Sequence, residues 1–459
     1  MLERFAPFIE ARLRKNVSTS EQMYRFLSGR LVQRYFGKYK LLKLKKTIKY
    51  CYDNSPYYHE QLKNHNCRPE DIKSYSDMKK IPFTNPDDLQ KPERFLCTAP
   101  SEIIKIFSSS GTTGNPKKIS FTRNDILRQA SGIADGVLLL YGIDNTDVIR
   151  ITYDQGYGMS DWGVRYILEN VFQYLGATSV VTGGRLPADQ EYELLKSYNI
   201  SVLMGTPSYI HALSMQLSSS FDLKPLNIKC ILLGTEPLPS AIRKNIEDIW
   251  HTNVYQGYGS TEMGTSLAGE CKEKNGMHIT ESDFHVEIVD PKTNELLEDG
   301  EVGELIVTTL SRDGMPLLRY RTHDLGFIMS EQCPCGLPFK KIKVKGRTDE
   351  IITIGSGDKL LATIFDDLLF SIPSVDNYRI TIERFENIDH LTVIVETKKS
   401  GSSLKSKIEQ MLMTVPEIRN GILDSKTIMI PTIQLVKPNT IKKTTLKAKR
   451  IIDKRKLYD

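Results

Sequence analysis

The sequence predicts an α/β protein: a large N-terminal domain of mixed or parallel sheets with helices and a β-rich subdomain, followed by a small α+β domain. Between residues 103 and 250, short apolar runs alternate with helix-like segments, a pattern typical of βαβ units. From about 283 to 330, strand patterns follow one another with turn residues between them. A second alternation of helix and strand patterns starts after Asp349 and predicts the small domain.

The individual elements follow from local spacing. Residues 1–100 mix apolar and basic residues at helical spacing, and the run from Asp53 to Pro56 predicts a helix end and a turn. The α/β part covers 101–270, with strands expected at 147–151, 177–181, 200–204 and 230–233 and helices at 124–140, 160–175, 188–198, 207–219 and 238–250. The β-rich part covers 271–345, with strands at 285–289 and 303–309. The small domain should hold a helix at 361–370, strands within 377–396 and a helix at 403–413, so we expect domains at 1–349 and 350–459.

Composition excludes several classes of protein. The 459 residues include 62 Lys and Arg against 56 Asp and Glu, and the net charge of +6 is too small to indicate nucleic-acid binding. Seven cysteines are a low and odd count, which favours reduced thiols over a disulfide scaffold. The N-terminus has no basic start followed by an apolar run, and no stretch approaches ~18 apolar residues. We therefore expect a cytoplasmic protein without a membrane partner.

The most informative local run is 108–118, which combines five hydroxyl residues and two glycines with Lys117 and Lys118. Glycines let the backbone approach an anion, and successive N–H groups with hydroxyls can surround phosphate oxygens. The run lacks the Gly-Lys-Ser/Thr of a Walker A motif. On composition alone, a flexible polar loop and a phosphate loop are both open.

This run resembles the phosphate-binding loop of the adenylate-forming superfamily, which includes acyl-coenzyme A synthetases, luciferases and peptide-synthetase adenylation domains. Four further segments resemble that family's adenine–magnesium, ribose, hinge and C-terminal lysine motifs, in the expected order: 255–262, 319–325, 345–350 and 447–455. The phenylacetate–coenzyme A ligase-like branch is the most similar, on the runs 54–58, 81–84, 234–237 and 333–336. The resemblance spans essentially the whole chain.

The resemblance implies activation of a carboxylic acid by ATP to an acyl-adenylate with release of pyrophosphate, followed by transfer to the thiol of coenzyme A. Glycines and aromatic residues near the expected pocket favour an aryl or arylacetic acid. A stand-alone enzyme that loads the phosphopantetheine of a separate carrier protein remains an alternative, as does a non-catalytic nucleotide-binding relative. A homodimer is one expected assembly. ATP or AMP, Mg²⁺ and coenzyme A or phosphopantetheine are the implied ligands.

The resemblance also implies roles for single residues. Glu262 would bind Mg²⁺, Thr261 would reach the α-phosphate and Tyr258 would stack on adenine, whereas Asp324 would accept from the ribose hydroxyls. The other implied ATP or AMP contacts are Ser108, Ser109, Ser110, Gly111, Thr112, Thr113, Gly114, Lys117, Gly234, Thr235, Glu236, Gly259, Ser260 and Arg347. Asp349 would be the hinge about which a mobile small domain rotates between the two half-reactions.

Lys447 is the candidate for the lysine that meets the carboxylate and the α-phosphate during adenylation. The family usually has Gly directly before this lysine, whereas this chain has Leu446. Lys449 lies two residues away and remains an alternative, and such a basic run is also typical of a solvated surface.

Four residues in the β-rich part have the composition of a tetrahedral zinc site: Cys271, His278, Cys333 and Cys335. Free thiols with a surface histidine are the alternative, and His285 is a rival nitrogen ligand. Some phenylacetate ligase-like relatives carry a Cys/His zinc site in this part of the chain, and the resemblance therefore favours a structural Zn²⁺. We expect the remaining cysteines to be buried and inert: Cys51, Cys67, Cys97 and Cys230.

In this superfamily the acyl pocket lies between the phosphate and adenine segments. The candidates here are Tyr153, Tyr157, Gly158, Trp162, Thr206, Gly234, Thr235 and Gly257. Asp154 and Asp161 leave open a substrate ammonium group, and therefore an amino acid or aminoaryl acid, although surface positions for both are favoured.

Overall fold

The computed structural model describes residues 30–109, 116–153, 159–182, 186–310, 312–355, 357–386, 388–398, 401–438, 440–441 and 450–455. The described chain forms two compact units. The first holds the residues up to 206 together with 222–235 and 252–344, and the second holds 207–221, 236–251 and the chain from 345 onwards. The boundary at 349 that we expect from the sequence stays a prediction.

The first unit begins with two helices, α1 (Arg30–Asn54) and α2 (Pro56–Asn64). Ser55 ends the first and caps the second, because its hydroxyl accepts from the N–H of Tyr58 and Pro56 occupies the first position of α2. Between 69 and 102 the chain differs from the expected helical pattern and forms five short 3₁₀ turns. Four of these turns start at a proline, which suits the first helical position but cannot continue a longer helix.

A hairpin of β1 (Ile103–Ser108) and β2 (Lys118–Thr122) leads into an α/β layer. The strands of this layer are β3 (Val148–Ile151), β4 (Thr178–Val180), β5 (Val202–Gly205), β6 (Cys230–Leu233) and β7 (Asn253–Tyr258). They pair in parallel in the order β4-β3-β5-β6-β7. The helices of this layer within the first unit are α3 (Arg123–Tyr141), α4 (Met159–Leu175) and α5 (Ala188–Ser197). The alternation read from the sequence therefore corresponds to real βαβ units.

The same sheet continues beyond β7 with antiparallel strands, so that eleven strands run in the order β10-β11-β12-β13-β9-β8-β7-β6-β5-β3-β4. The added strands are β8 (Ala268–Glu270), β9 (Met277–Ile279), β10 (Phe284–Val289), β11 (Gly303–Thr309), β12 (Tyr320–Ile328) and β13 (Lys341–Arg347). This is the β-rich part that the sequence predicts. Because the carboxyl ends of parallel strands share one edge, the loops after β3, β5, β6 and β7 begin at the same edge of the sheet.

The second unit contains α6 (Pro207–Ser218) and α7 (Ser240–Trp250), followed by a hairpin of β14 (Ile351–Ile354) and β15 (Asp358–Leu361). The chain continues through α8 (Thr363–Phe370), β16 (Asn377–Phe385), β17 (Ile388–Glu396), α9 (Ser402–Leu412), α10 (Pro416–Leu423), β18 (Thr432–Val436) and β19 (Ile451–Asp453). Its sheet has the order β18-β17-β16-β19. The sequence patterns predict α8, β16, β17 and α9, but they miss the hairpin, α10, β18 and β19.

Among the described residues, no helix combines the length and the hydrophobicity needed to cross a membrane.

Candidate active site

The phosphate-loop candidate lies between the two strands of the β1–β2 hairpin. Two hydrogen bonds join its ends: the N–H of Ser109 donates to the carbonyl of Lys117 at 2.9 Å, and the N–H of Lys117 donates to the hydroxyl of Ser109 at 3.0 Å. Ser108 is the last residue of β1 and is buried. Five of the implied loop residues lie outside the described part of the chain: Ser110, Gly111, Thr112, Thr113 and Gly114.

Glu262 lies in a tight turn just after β7. Gly259 permits this turn, because a Cβ atom there would come within 1.7 Å of the carbonyl oxygen of Thr265. The N–H of Thr265 donates to the carbonyl of Ser260, and the N–H of Gly264 donates to that of Thr261, both at 3.0 Å. The turn therefore places Thr261 and a buried Glu262 at the edge where the parallel strands end.

Two side chains bind the same oxygen of Glu262. The ammonium group of Lys117 lies 3.3 Å from Oε1, and the hydroxyl of Tyr320 donates to Oε1 at 2.9 Å. Burial raises the pKa of Glu262, but the charge of Lys117 and hydrogen bonds from its own backbone, Tyr320 and Ser260 outweigh burial and hold the pKa below its usual value. Glu262 is therefore an ionised carboxylate in a largely dry environment, which suits a hard divalent cation.

Arg312 holds the backbone of Glu262. Its Nη1 donates to the carbonyl of Glu262 at 2.6 Å, and its guanidinium carbon lies 4.7 Å from the ring centroid of Phe121. Burial lowers the pKa of Arg312 to about 10, against the opposing charges of Asp125 and Glu262, so that the group remains a cation at neutral pH. This contact fixes the backbone of the turn at Glu262.

Asp324 lies in a bulge of β12. The register between β11 and β12 shifts between Glu304 and Ile306, and His323 adopts a left-handed conformation with φ of 60°. The carboxylate of Glu304 stabilises the bulge, because it accepts from the N–H of His323 at 3.0 Å and from Nε of Arg321 at 3.0 Å. The side chains of Arg321 and His323, which are donors to Glu304, hold its pKa at about 2 although burial alone would raise it.

Tyr258 and Asp324 come together at the end of β7. The hydroxyl of Tyr258 donates a hydrogen bond to Oδ2 of Asp324. The resemblance implies adenine as the ligand of Tyr258 and ribose as the ligand of Asp324. Contact between the two side chains is compatible with these roles, because adenine and ribose are neighbours in one nucleoside.

Three of the acyl-pocket candidates also meet. A Cβ atom on Gly234 would lie 3.3 Å from the hydroxyl oxygen of Tyr153 and 3.4 Å from the carbonyl oxygen of Gly257. Thr206 follows β5 directly, and Thr235 has a positive φ of 69° just after β6. Tyr157, Gly158 and Asp154 lie outside the described residues, and Trp162 and Asp161 belong to α4 without a described side chain.

Three further candidates lie in the second unit: Glu236, Arg347 and Asp349. The carboxylate of Glu236 accepts from the N–H of Ser208 at 3.1 Å and from its hydroxyl at 3.0 Å. Arg347 donates from Nε to Oδ1 of Asp349 at 2.9 Å, where β13 passes into a 3₁₀ turn. Lys447 and Lys449 lie outside the described residues.

Four side chains of the β-rich part form a compact buried cluster: Cys271, His278, Cys333 and Cys335, whose ligand atoms all lie within 4.8 Å of one another. The Sγ atoms of Cys271 and Cys333 are 3.6 Å apart, and Sγ of Cys335 is 3.3 Å from Nε2 of His278. Nδ1 of His278 lies 3.0 Å from the carbonyl oxygen of Phe339, an arrangement that turns Nε2 toward the thiols.

His285, the rival ligand, stacks on Tyr75 with ring centroids 5.1 Å apart. Burial lowers the pKa of His285 to about 3. The four cysteines expected to be bystanders are all buried: Cys51, Cys67, Cys97 and Cys230.

Sequence reasoning missed Tyr320, Arg312 and Glu304. Tyr320 belongs to the segment 319–325, which resembles the ribose motif, but its contact with Glu262 joins residues 58 positions apart. Arg312 and Glu304 carry no motif, and only the folded sheet brings them to Glu262 and to the bulge.

Comparison with known proteins agrees with this geometry. Residues 37–311 match the family of AMP-binding enzymes, and residues 362–455 match the AMP-binding enzyme C-terminal domain. A phenylacetate-coenzyme A ligase of Pseudomonas putida is 31% identical over 428 residues, covering 91% of this chain and 94% of that protein. The corresponding ligase of Escherichia coli K12 is 30% identical, covering 90% and 94%.

A solved structure shares the fold. The crystal structure of 2-hydroxyisobutyryl-CoA ligase in the postadenylation state has a TM-score of 0.80 at 22% identity, covering 92% of this chain and 90% of the other. The superfamily, the α/β fold and the enzyme class that the sequence predicts, an AMP-forming acid–thiol ligase, are confirmed. The chain belongs to the family of AMP-binding enzymes, in the branch of the phenylacetate–coenzyme A ligases.

Proposed function

We propose that the protein activates a carboxylic acid with ATP to an acyl-adenylate, releases pyrophosphate and transfers the acyl group to the thiol of coenzyme A. The observation that carries this proposal is the ionised, buried Glu262 between Lys117 and Tyr320, in the same unit as the Tyr258–Asp324 pair. A nucleoside, a phosphate chain and a divalent cation each find a group of suitable chemistry there. A non-catalytic relative is disfavoured, because the curated relatives at about 31% identity over most of the chain are named as ligases.

In the proposed first step, the carboxylate oxygen of the acid attacks the α-phosphorus and pyrophosphate leaves. The contribution of the chain is mainly positioning and charge neutralisation. Lys117 and the loop 108–114 would hold the phosphates, Thr261 would reach the α-phosphate, and Glu262 would hold Mg²⁺. Tyr258 would stack on adenine while Asp324 accepts from ribose hydroxyls. Mg²⁺ supplies neutralisation of the phosphate charge when it is bound.

For the acid, we propose an aryl or arylacetic compound. The curated relatives at about 31% identity are named phenylacetate-coenzyme A ligases, and this supports the same class here. Tyr153 beside Gly234 and Gly257 would offer one aromatic wall and two glycines, which leave room for a flat ring.

For the acceptor, coenzyme A is favoured over a carrier protein, because the relatives and the similar solved structures are named as CoA ligases. The second step is attack of the thiol on the adenylate carbonyl, with AMP leaving. Glu236 and Arg347 would contact ATP or AMP, as the resemblance implies, and Asp349 would be the hinge for the rearrangement between the steps. Lys447 would neutralise charge in the first step only.

We also propose a structural Zn²⁺ at the cluster of Cys271, His278, Cys333 and Cys335. Three thiols and one imidazole form a tetrahedral donor set, and the S–S distance of 3.6 Å and S–N distance of 3.3 Å are close to the spacing of ligands around one such ion. The cluster joins the loop after β8 to the segment before β13. The homodimer and the cytoplasmic location expected from the sequence stay predictions.

Exchange of labelled pyrophosphate into ATP, measured over a panel of acids, tests the proposed function. We expect exchange that depends on an aryl or arylacetic acid and CoA thioester formation with the same acid. Amino acids or aminoaryl acids would support exchange instead if the alternative with a substrate ammonium group were correct. Absence of acid-dependent exchange over the whole panel would contradict the proposal.

A further inference from the structure

We propose that Tyr320 is a positioning residue for Glu262: its hydroxyl holds one carboxylate oxygen and thereby leaves the other to the divalent cation that accompanies ATP. This inference rests on the proposed function, in which Glu262 receives that cation. The contact between Tyr320 and Glu262 is not among the roles that the family resemblance implies.

The contact is direct and rigid. Tyr320 donates to Oε1 of Glu262 at 2.9 Å, and both side chains are buried, with 3% and 6% of their surface exposed. Tyr320 is the first residue of β12, where its backbone pairs with Val307 of β11. A tyrosine has only two side-chain torsions, so a strand position and a packed ring fix where the hydroxyl points.

Tyr320 and Lys117 share Oε1 but respond differently to ATP. Lys117 is a cation on a flexible stem, 22% exposed, and the phosphates of ATP would attract it away from a single carboxylate. The neutral hydroxyl of Tyr320 has no such competing attraction. It can therefore keep Oε1 bound after Lys117 has moved to the phosphates, and the carboxylate does not rotate.

The backbone of Glu262 has a separate support. Arg312 binds its carbonyl at 2.6 Å, and the turn bonds after Ser260 hold the adjacent residues. Removal of the Tyr320 hydroxyl should therefore release the carboxylate without releasing the turn. This separation lets an experiment distinguish positioning from general stability.

The test is the dependence of acid-supported pyrophosphate exchange on free Mg²⁺, in wild type and in Tyr320→Phe. We expect the half-saturating Mg²⁺ concentration to rise about tenfold in Tyr320→Phe, with an unchanged KM for the acid. Tyr50→Phe is the matched control, because the hydroxyl of Tyr50 binds the carbonyls of Cys97 and Asp313. The control should keep the wild-type Mg²⁺ dependence.

Calorimetric titration of Mg²⁺ into the complex with ATP, without acid, adds a measurement that does not depend on activity, and it is made in a double-mutant cycle with Glu262→Gln. If Tyr320 acts through Glu262, its substitution adds little to the Mg²⁺ requirement of Glu262→Gln. Wild-type Mg²⁺ dependence in Tyr320→Phe, or additive effects in the cycle, would overturn the inference and leave the proposed function intact. Wild-type protein without acid-dependent exchange would instead overturn the proposed function.

Discussion

Glu262 is the residue at which most of the active-site contacts meet. It accepts from Lys117 and Tyr320 through one carboxylate oxygen, and Arg312 binds its carbonyl. Burial would raise its pKa, yet these contacts keep it ionised. The structure thus maintains a buried negative charge beside Lys117, and in the proposed function this carboxylate would receive the divalent cation that accompanies ATP.

Asp324 should determine the affinity for ATP rather than for the acid. Asp324→Asn keeps one acceptor oxygen but removes the charge that receives Tyr258 and, in the proposed complex, the ribose hydroxyls. We expect the KM for ATP to rise about tenfold or more, with the KM for the acid nearly unchanged. Steady-state kinetics with each substrate varied in turn measures both values.

The control for this variant is Asp299→Asn, which neutralises an exposed carboxylate paired with Lys340. It should leave both constants at wild-type values. An Asp324→Asn enzyme with an unchanged KM for ATP would remove Asp324 from the nucleotide site.

Lys447 should act in adenylation alone. Lys447→Ala removes the ammonium that is proposed to meet the acid and the α-phosphate, so pyrophosphate exchange should fall by orders of magnitude. Thioester formation from preformed acyl-adenylate should survive, as rapid-quench assays can measure. The same substitution at Lys449 decides between the two lysines, and near wild-type exchange in Lys447→Ala would refute its assignment.

At the scale of elements, two features of the sheet position the candidate active site. One is the edge that the carboxyl ends of the parallel strands share, and the other is the bulge in β12. The alternating pattern predicts β3 to β6 and the five helices of the α/β part to within a few residues, because apolar runs and their spacing are local properties, but it does not predict β7. The bulge could not be predicted, since it depends on Glu304 accepting from residues 17 and 19 positions away. The loop residues 110–114 and Lys447 lie outside the described chain, so their roles rest on the resemblance alone.

A buried ion pair joins the α/β elements and should dominate local stability. Arg150 of β3 and Glu191 of α5 pair through two hydrogen bonds of 2.6 and 2.9 Å, with 2% and 0% of their side chains exposed. Glu191→Ala leaves Arg150 charged and buried, and we expect it to lower the free energy of unfolding by about 3–5 kcal/mol. Urea denaturation followed by circular dichroism measures this loss.

The half-exposed pair of Arg165 and Glu169 within α4 offers the matched comparison. Glu169→Ala should cost no more than about 1 kcal/mol. Equal losses in the two variants would mean that burial of the Arg150–Glu191 pair does not set its contribution.

The Cys/His cluster should hold one Zn²⁺ that stabilises the β-rich part. After extensive dialysis, elemental analysis should find one zinc ion per chain, and Cys333→Ser should lower both zinc content and thermal stability. Cys67→Ser is the control, since Cys67 is a buried thiol outside the cluster. Full stability of Cys333→Ser together with zinc well below one per chain would count against the metal site.

At the scale of the whole molecule, two compact units carry different parts of the proposed reaction. The first unit holds Glu262, Asp324, Tyr258 and Lys117, and the second holds Arg347, Asp349 and Glu236. The first family match ends at 311 and the second begins at 362, on either side of the unit boundary between 344 and 345, whereas 207–221 and 236–251 of the second unit lie within the first match. The order of motifs along the chain was therefore sufficient to predict the family, whereas the contacts among the motifs required the folded structure.

In the proposed reaction the acid is activated as an acyl-adenylate. An acid labelled with ¹⁸O in its carboxylate, supplied with ATP and coenzyme A, tests this claim most directly by mass spectrometry of the nucleotide product. Attack of the carboxylate on the α-phosphorus leaves one labelled oxygen on the phosphate of AMP when the thiol displaces it. If the acid is activated as an acyl-adenylate, AMP will carry one ¹⁸O per thioester formed. Label in inorganic phosphate, with ADP as the nucleotide product, would refute activation by this route.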